Sequence, residues 1–174
     1  MNKLLAAPGN QAVARPDGDP ANPPRRILVV EDDGAIGQSN AQALVRSGYQ
    51  VDAAADGAAG WAALHANDFD LLITDHDMPR LTGLELVKKV RCARMTLPVI
   101  LASGSLHTEE LERHPWLQFA ATLLKPFSPH QLLETVKEVL RATDRASFGS
   151  ETCFRAFTET FRHRLPYQHW DNHD

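Results

Sequence analysis

No stretch of this 174-residue chain approaches the ~20 consecutive apolar residues that a membrane-spanning helix needs. The apolar opening Leu4-Leu5-Ala6-Ala7 is stopped at once by Pro8-Gly9, too soon for the core of a secretory signal. The chain therefore reads as soluble and cytoplasmic, with no membrane partner. Cysteine is scarce: Cys92 and Cys153 suit a reduced compartment, and their spacing neither recommends nor forbids a bridge. An excess of base is also missing. With 18 Lys and Arg against 22 Asp and Glu, the formal charge is −4, so the positive footprint expected of a nucleic-acid binder is absent. What remains is 43% hydrophobic and 23% charged, close to the globular average and enough for one well-cored domain.

Residues 1–25 carry Pro8, Pro16, Pro20, Pro23 and Pro24 and no apolar period, and read as a disordered leader. Order begins at Arg26. Ile27-Leu28-Val29-Val30 has the continuous apolar character of a strand buried on both faces. A helix from Ile36 to Ser47, with Ile36, Ala43 and Leu44 as its stripe, ends at Gly48. Tyr49–Ala53 is a second strand, and Ala58–Asn67 a helix with Trp61 and Leu64 inward. Phe69–Thr74 is the third strand and Leu84–Val90 the third helix. Pro98–Ala102 is the fourth strand, and Thr108 opens a short acidic helix with Leu111 inward. Thr122–Leu124 is the fifth strand. Ser128-Pro129 then starts a last helix running to about Arg141. Five βα units in succession imply an α/β fold: a doubly wound, five-stranded parallel sheet flanked by five helices, with residues 26–142 as its domain. In the tail, 143–174, Phe154, Phe157, Phe161 and Leu165 fit a short amphipathic helix.

In such a sheet the site lies beyond the carboxyl ends of the strands. Three of those ends carry charge: Glu31-Asp32-Asp33 after the first strand, Asp75 after the third, and Lys125-Pro126 after the fifth. Carboxylates gathered with a lysine suit Mg²⁺ and a phosphoryl group, and the chemistry that fits is phosphorylation of Asp75 itself. Taken singly each motif has an ordinary role. Asp75-His76-Asp77 makes a strand-to-loop turn, the acidic cluster caps a helix, and Lys-Pro forms a surface turn. Their order along one chain argues for a common purpose.

Over residues 26–142 the sequence resembles the receiver domain of response regulators in two-component and phosphorelay signalling. The resemblance is carried by Ile27–Asp33, Asp75-His76-Asp77-Met78-Pro79, Gly83 and Leu124-Lys125-Pro126-Phe127. It implies a flavodoxin-like fold and a role for each residue. Asp75 is the phosphorylated nucleophile. Asp32 holds Mg²⁺ directly and Glu31 through water, with Asp75 and the backbone carbonyl of Asp77 completing the ligands. Ser103 and Lys125 bind the phosphoryl group, Pro126 follows a cis peptide that aims Lys125 inward, and Gly83 permits the tight loop after Pro79. Asp33 is a solvated neighbour. The implied partners are a sensor histidine kinase or histidine phosphotransfer protein and a downstream protein target, with a homodimer left open. The chain is expected to be a signalling module acting without a separate output domain, and to assist its own phosphorylation and dephosphorylation rather than turn over a substrate.

Two departures stand out. Thr122 occupies the place, three residues before the lysine, where the family usually carries an aromatic switch residue. Glu31 stands where Asp is commoner. The first keeps alive a receiver that acts independently of phosphorylation. An enzymatic rival, a haloacid-dehalogenase-type phosphatase using Asp75 and Asp77, expects its further acidic pair after the nucleophile, whereas Glu31-Asp32 precedes it. Trp61 and Trp116 read as packing residues, His76 as a solvated loop residue, and the tail histidines His163, His169 and His173 as incidental.

Overall fold

The computed structural model describes residues 24–105 and 114–148. Its centre is made by β1 (Arg26–Val30), β3 (Leu71–Asp75) and β4 (Val99–Ser103), in which every residue but Arg26 is buried. Strands covered on both faces need no polar alternation, which is why they appear as unbroken apolar runs. The sheet is parallel in the order β2-β1-β3-β4-β5, with β2 (Gln50–Ala54) and β5 (Ala121–Leu124) at its edges. This is the flavodoxin-like order, whose ligand crevice opens where the winding reverses, between β1 and β3.

Successive strand residues serve opposite layers. Ile27, Val29, Leu71, Ile73 and Ile100 pack with Leu44 of α1 (Gly34–Arg46) and with Leu132, Val136 and Val139 of α4 (Pro129–Phe148). Leu28, Val30, Leu72 and Val99 pack with Leu64 of α2 (Gly57–Ala66) and with Leu86, Val87 and Val90 of α3 (Gly83–Cys92). Each fully buried aliphatic side chain contributes roughly 1.5–3 kcal/mol, so the two layers account for most of the drive to fold.

Each helix start is written locally. Asp33 accepts from the N–H groups of Ala35 and Ile36 at 2.9 and 3.1 Å, and Asp56 from that of Ala59 at 2.8 Å. Thr82 and Glu85 close a reciprocal capping box on α3. Ser128 and Gln131 do the same on α4, with Pro129 at the first helical position. After α1, Gly48 adopts φ 94°, a conformation that terminates helices and that side chains resist.

Several expectations change. Four α-helices are described instead of five: the segment from Thr108 with Leu111 lies outside the described residues, and a short 3₁₀ turn, Pro115–Leu117, follows it. The last helix does not end near Arg141: α4 continues to Phe148. Nothing in the sequence breaks it before Gly149, and the Thr143 hydroxyl donates back to the Val139 carbonyl at 3.0 Å. Arg25, placed in the leader by sequence, belongs to the body, where it donates to Asp70 at 2.7 Å and pairs with Asp144 of the extended α4. The rest of the leader to residue 23 and the tail's phenylalanine stripe lie outside the described residues. Ile36 is 40% and Trp116 47% exposed, so neither is a core residue, whereas Trp61 packs against the α2–α3 layer as expected.

Candidate functional site

Parallel pairing aligns the ends of β1, β3, β4 and β5 at one edge of the sheet, and each end delivers a polar group there. Glu31, Asp75 and Ser103 are buried, while Asp32 is exposed at the rim. Carboxylate oxygens of Glu31, Asp32 and Asp75 all lie within 4.8 Å of one another. Hard oxygen donors at this separation suit Mg²⁺, which takes one or two carboxylates and fills its octahedron with water and phosphate oxygen.

Lys125 closes the cluster. Its Nζ lies 2.8 Å from Asp75 Oδ2 and donates to Glu31 Oε1 at 3.0 Å and Oε2 at 2.9 Å. The peptide between Lys125 and Pro126 is cis. Burial pushes the Glu31 carboxyl above its ordinary value; Lys125 opposes this and the neighbouring Asp75 charge adds to it. For Lys125, burial is the largest single influence and lowers the ammonium. The hydrogen bonds and charges of Asp75 and Glu31 together outweigh it, and the net direction is up. Glu31 and Asp75 share one ammonium and Asp32 lies beside them, so the cluster keeps a surplus of negative charge that favours any further cation.

Asp75 is fixed through its backbone. The buried Thr74 hydroxyl donates to its carbonyl oxygen at 3.1 Å. Gly83, at the start of α3, lies so close behind it that a Cβ there would fall 1.9 Å from that same oxygen. The glycine is thus required by contact with Asp75, a stronger reason than the loop turn expected from sequence. Asp77 N–H points to Asp75 Oδ1 at 3.4 Å, and the Asp77 side chain is 64% exposed. His76 is not the solvated loop residue expected: its side chain is only 12% exposed, with Nε2 3.7 Å from Asp77 Oδ1. Asp33 stays outside the cluster as the α1 cap.

The Ser103 hydroxyl donates to the Ser105 carbonyl at 2.8 Å. Thr122, paired in register with Leu101, is exposed on β5. Sequence reasoning missed one contributor to the site, Thr74, which read only as strand. It also missed Arg91, in the last turn of α3, which acts at the opposite end of the strands from the site: its guanidinium spreads over four main-chain carbonyls, those of Met95, Leu97, Leu117 and Gln118, at 2.8–3.1 Å. The one hint of it in sequence is a basic residue at a helix carboxyl end, which is common.

A doubly wound sheet with an acidic, lysine-closed pocket beside its switch point defines a CheY-like receiver fold. Comparison with known proteins agrees. The family model described as the response regulator receiver domain matches residues 27–137, and the chain belongs to that family of two-component signalling proteins. The Bacillus subtilis alkaline phosphatase synthesis transcriptional regulatory protein PhoP is 32% identical over 129 residues, 73% of this chain and 53% of PhoP. The chain thus spans about half the length of the curated relatives it matches. Among solved structures, the chemotaxis protein CheY4 of Vibrio cholerae is 32% identical with a TM-score of 0.63, covering 67% of this chain and 98% of CheY4. The response regulator TrrA of Thermotoga maritima, solved in complex with Mg²⁺ and BeF, is 28% identical with a TM-score of 0.60, covering 66% and 98%. Among the described residues no helix is long and apolar enough to cross a membrane.

Proposed function

We propose that this chain is a Mg²⁺-dependent phosphoacceptor that takes a phosphoryl group onto Asp75 and uses it to switch protein contacts. The observation that carries this reading is the Lys125 ammonium held 2.8 Å from Asp75 inside a carboxylate cluster. In this reading Asp75 oxygen attacks the phosphorus of a phosphohistidine on a sensor kinase or phosphotransfer protein. The P–N bond breaks and the imidazole leaves with its electron pair. Little covalent help is needed from the protein; positioning and charge neutralisation do the work. Thr74 and Gly83 hold the nucleophile's backbone, and Lys125 meets the phosphoryl oxygens as a point charge. Asp32, Glu31 through water, Asp75 and the Asp77 carbonyl hold Mg²⁺, which when bound supplies further positive charge to those oxygens. Attack by water on the aspartyl phosphate later releases phosphate, with the same groups assisting.

Ser103 would exchange its bond to the Ser105 carbonyl for one to the phosphoryl group, biasing the surface around β5. No aromatic can follow, because residue 122 is threonine, and this favours a second reading in which output is independent of phosphate. The net charge of −4 supports a protein rather than a nucleic-acid target for these residues, although the Bacillus relative is a transcriptional regulatory protein. The phosphatase alternative is disfavoured by the 64% exposure of Asp77, its required acid/base. The test is intact-protein mass after acetyl phosphate with Mg²⁺, beside Asp75→Asn and a chelator control. One phosphate on the wild type, absent from both controls, supports the first reading. No adduct on any sample sinks it and leaves the second.

A further inference from the structure

The loop that follows β3 carries the Asp77 carbonyl, and two contacts fasten it to the first turn of α2. The Arg80 guanidinium donates to Asp56 Oδ2 at 2.5 Å, while Asp56 Oδ1 caps α2 by accepting from the Ala59 N–H at 2.8 Å. Asp56 thus gives one oxygen to the helix and the other to the loop. At the neighbouring pair of positions, a Cβ on Gly57 would fall 2.4 Å from the Leu81 carbonyl oxygen, so helix and loop meet backbone to backbone. Arg80 itself stands at φ 68°, a left-handed conformation that glycine takes freely and other residues only at a cost. Its bond to Asp56 gives a reason for a cation there. We propose that Arg80 and Asp56 are positioning residues: their pairing across the contact between α2 and the loop sets where the Asp77 carbonyl stands, and through it how well the pocket grips a divalent ion. The inference deepens the phosphoacceptor reading and rests on it.

Mg²⁺ tolerates little error, because it demands near-ideal octahedral geometry with oxygens at about 2.0–2.1 Å. Glu31 and Asp75 are buried at strand ends, whereas the Asp77 carbonyl comes from a loop. On its inner side that loop is held by the His76 N–H, which donates to the Ala102 carbonyl at 2.7 Å, and by the buried Met78. On its outer side Arg80 reaches across to α2. Pro79, with its fixed φ, joins the two anchors, so a displacement at Arg80 is passed back toward Asp77 instead of being absorbed. The Arg80 side chain is 76% exposed and that of Asp56 20%, so the pair is too weak to hold the fold but strong enough to bias a loop. The sign of its effect is distinctive. Arg80 is only three residues from Asp77, and as a bare charge it would repel the ion; as a latch it helps the ion to bind.

The test is a double-mutant cycle read as Mg²⁺ affinity by titration calorimetry on the full chain: wild type, Arg80→Met, Asp56→Asn and the double variant. Asparagine still caps a helix, so Asp56→Asn removes the charge offered to Arg80 and leaves α2 its start. Thermal unfolding in chelator checks that each protein is folded. Losing an exposed pair shifts an equilibrium by about threefold. Arg80→Met is therefore expected to weaken Mg²⁺ about threefold in the wild-type background and by less than about 1.5-fold beside Asp56→Asn. Tighter binding in Arg80→Met would mean that Arg80 acts as a repelling charge, and would overturn the proposal while leaving the metal site standing. An unchanged affinity, or an equal weakening in both backgrounds, would overturn it too. If wild type and all variants fail to bind Mg²⁺, the phosphoacceptor reading falls together with the latch, a result distinct from the others.

Discussion

Position 83 has room for hydrogen alone, because the nearest neighbour is the backbone of Asp75 itself. Gly83→Ala must push the α3 start away from β3 or twist Asp75 off its line. Overpacking of this kind costs about 1–3 kcal/mol. The expected outcome is a lower urea midpoint together with a clear loss of phosphoryl uptake in the mass assay. Gly34→Ala, where a Cβ meets nothing within 4 Å, is the matched control and should leave both nearly unchanged. Arg91 is a second residue whose weight is out of proportion to its type. Burial lowers its guanidinium from the usual value, and it has four carbonyls to satisfy in place of a carboxylate. Arg91→Met would strand those oxygens at a cost of about 2–4 kcal/mol by chemical denaturation. Arg91→Lys should recover little, since one ammonium cannot replace a planar fork.

At the scale of elements, the helices depend on short polar caps, and two of these impose a pH dependence. Asp56 is held below its ordinary value first by the Ala59 N–H, with Arg80 at 2.5 Å adding to it. Glu85 is held down by the Thr82 N–H and hydroxyl. A carboxylate depressed in the folded state binds protons less readily there than when unfolded. Its stabilising effect is therefore complete above the unfolded value, near about 4, and is lost as pH falls through the folded one. Urea unfolding from pH about 5 to about 2 should show falling stability, with a shallower slope in the Asp56→Asn, Glu85→Gln double variant. A slope unchanged by that variant would assign the acid loss elsewhere.

For the whole molecule, the site and the core meet at one sheet edge, so a ligand there should be felt in global unfolding. Binding to the folded state alone adds about 2.7 kcal/mol at a ligand concentration a hundredfold above Kd. For a chain of this size that is about 5–10 °C in Tm. Saturating Mg²⁺ should raise the wild-type midpoint by that order, and Asp32→Asn should reduce the shift sharply. Differential scanning calorimetry with and without chelator decides it. The fold and most of the site were legible because both are one-dimensional signals: apolar strands in alternation with helices, and Glu31, Asp75 and Lys125 each at the end of a strand. Thr74 and Arg91 were not legible, since their partners are main-chain oxygens, which carry no sequence identity. Trp116 and Ile36 misled because apolar character alone does not say on which side of an element a residue falls.

The sequence by itself determined the alternation of strands and helices, the start of the last helix at Ser128, and the set of polar groups at the strand ends. Each of these depends on contacts within a few residues or on a hydrophobic period, and local chemistry decides them. Only the tertiary structure decided that Lys125 grips both oxygens of Glu31, that Gly83 abuts the Asp75 carbonyl, that His76 is largely covered and that α4 reaches Asp144 to meet Arg25. Those facts join segments up to 119 residues apart, and they follow from sheet order and loop path, which set distances between groups that the chain keeps far apart.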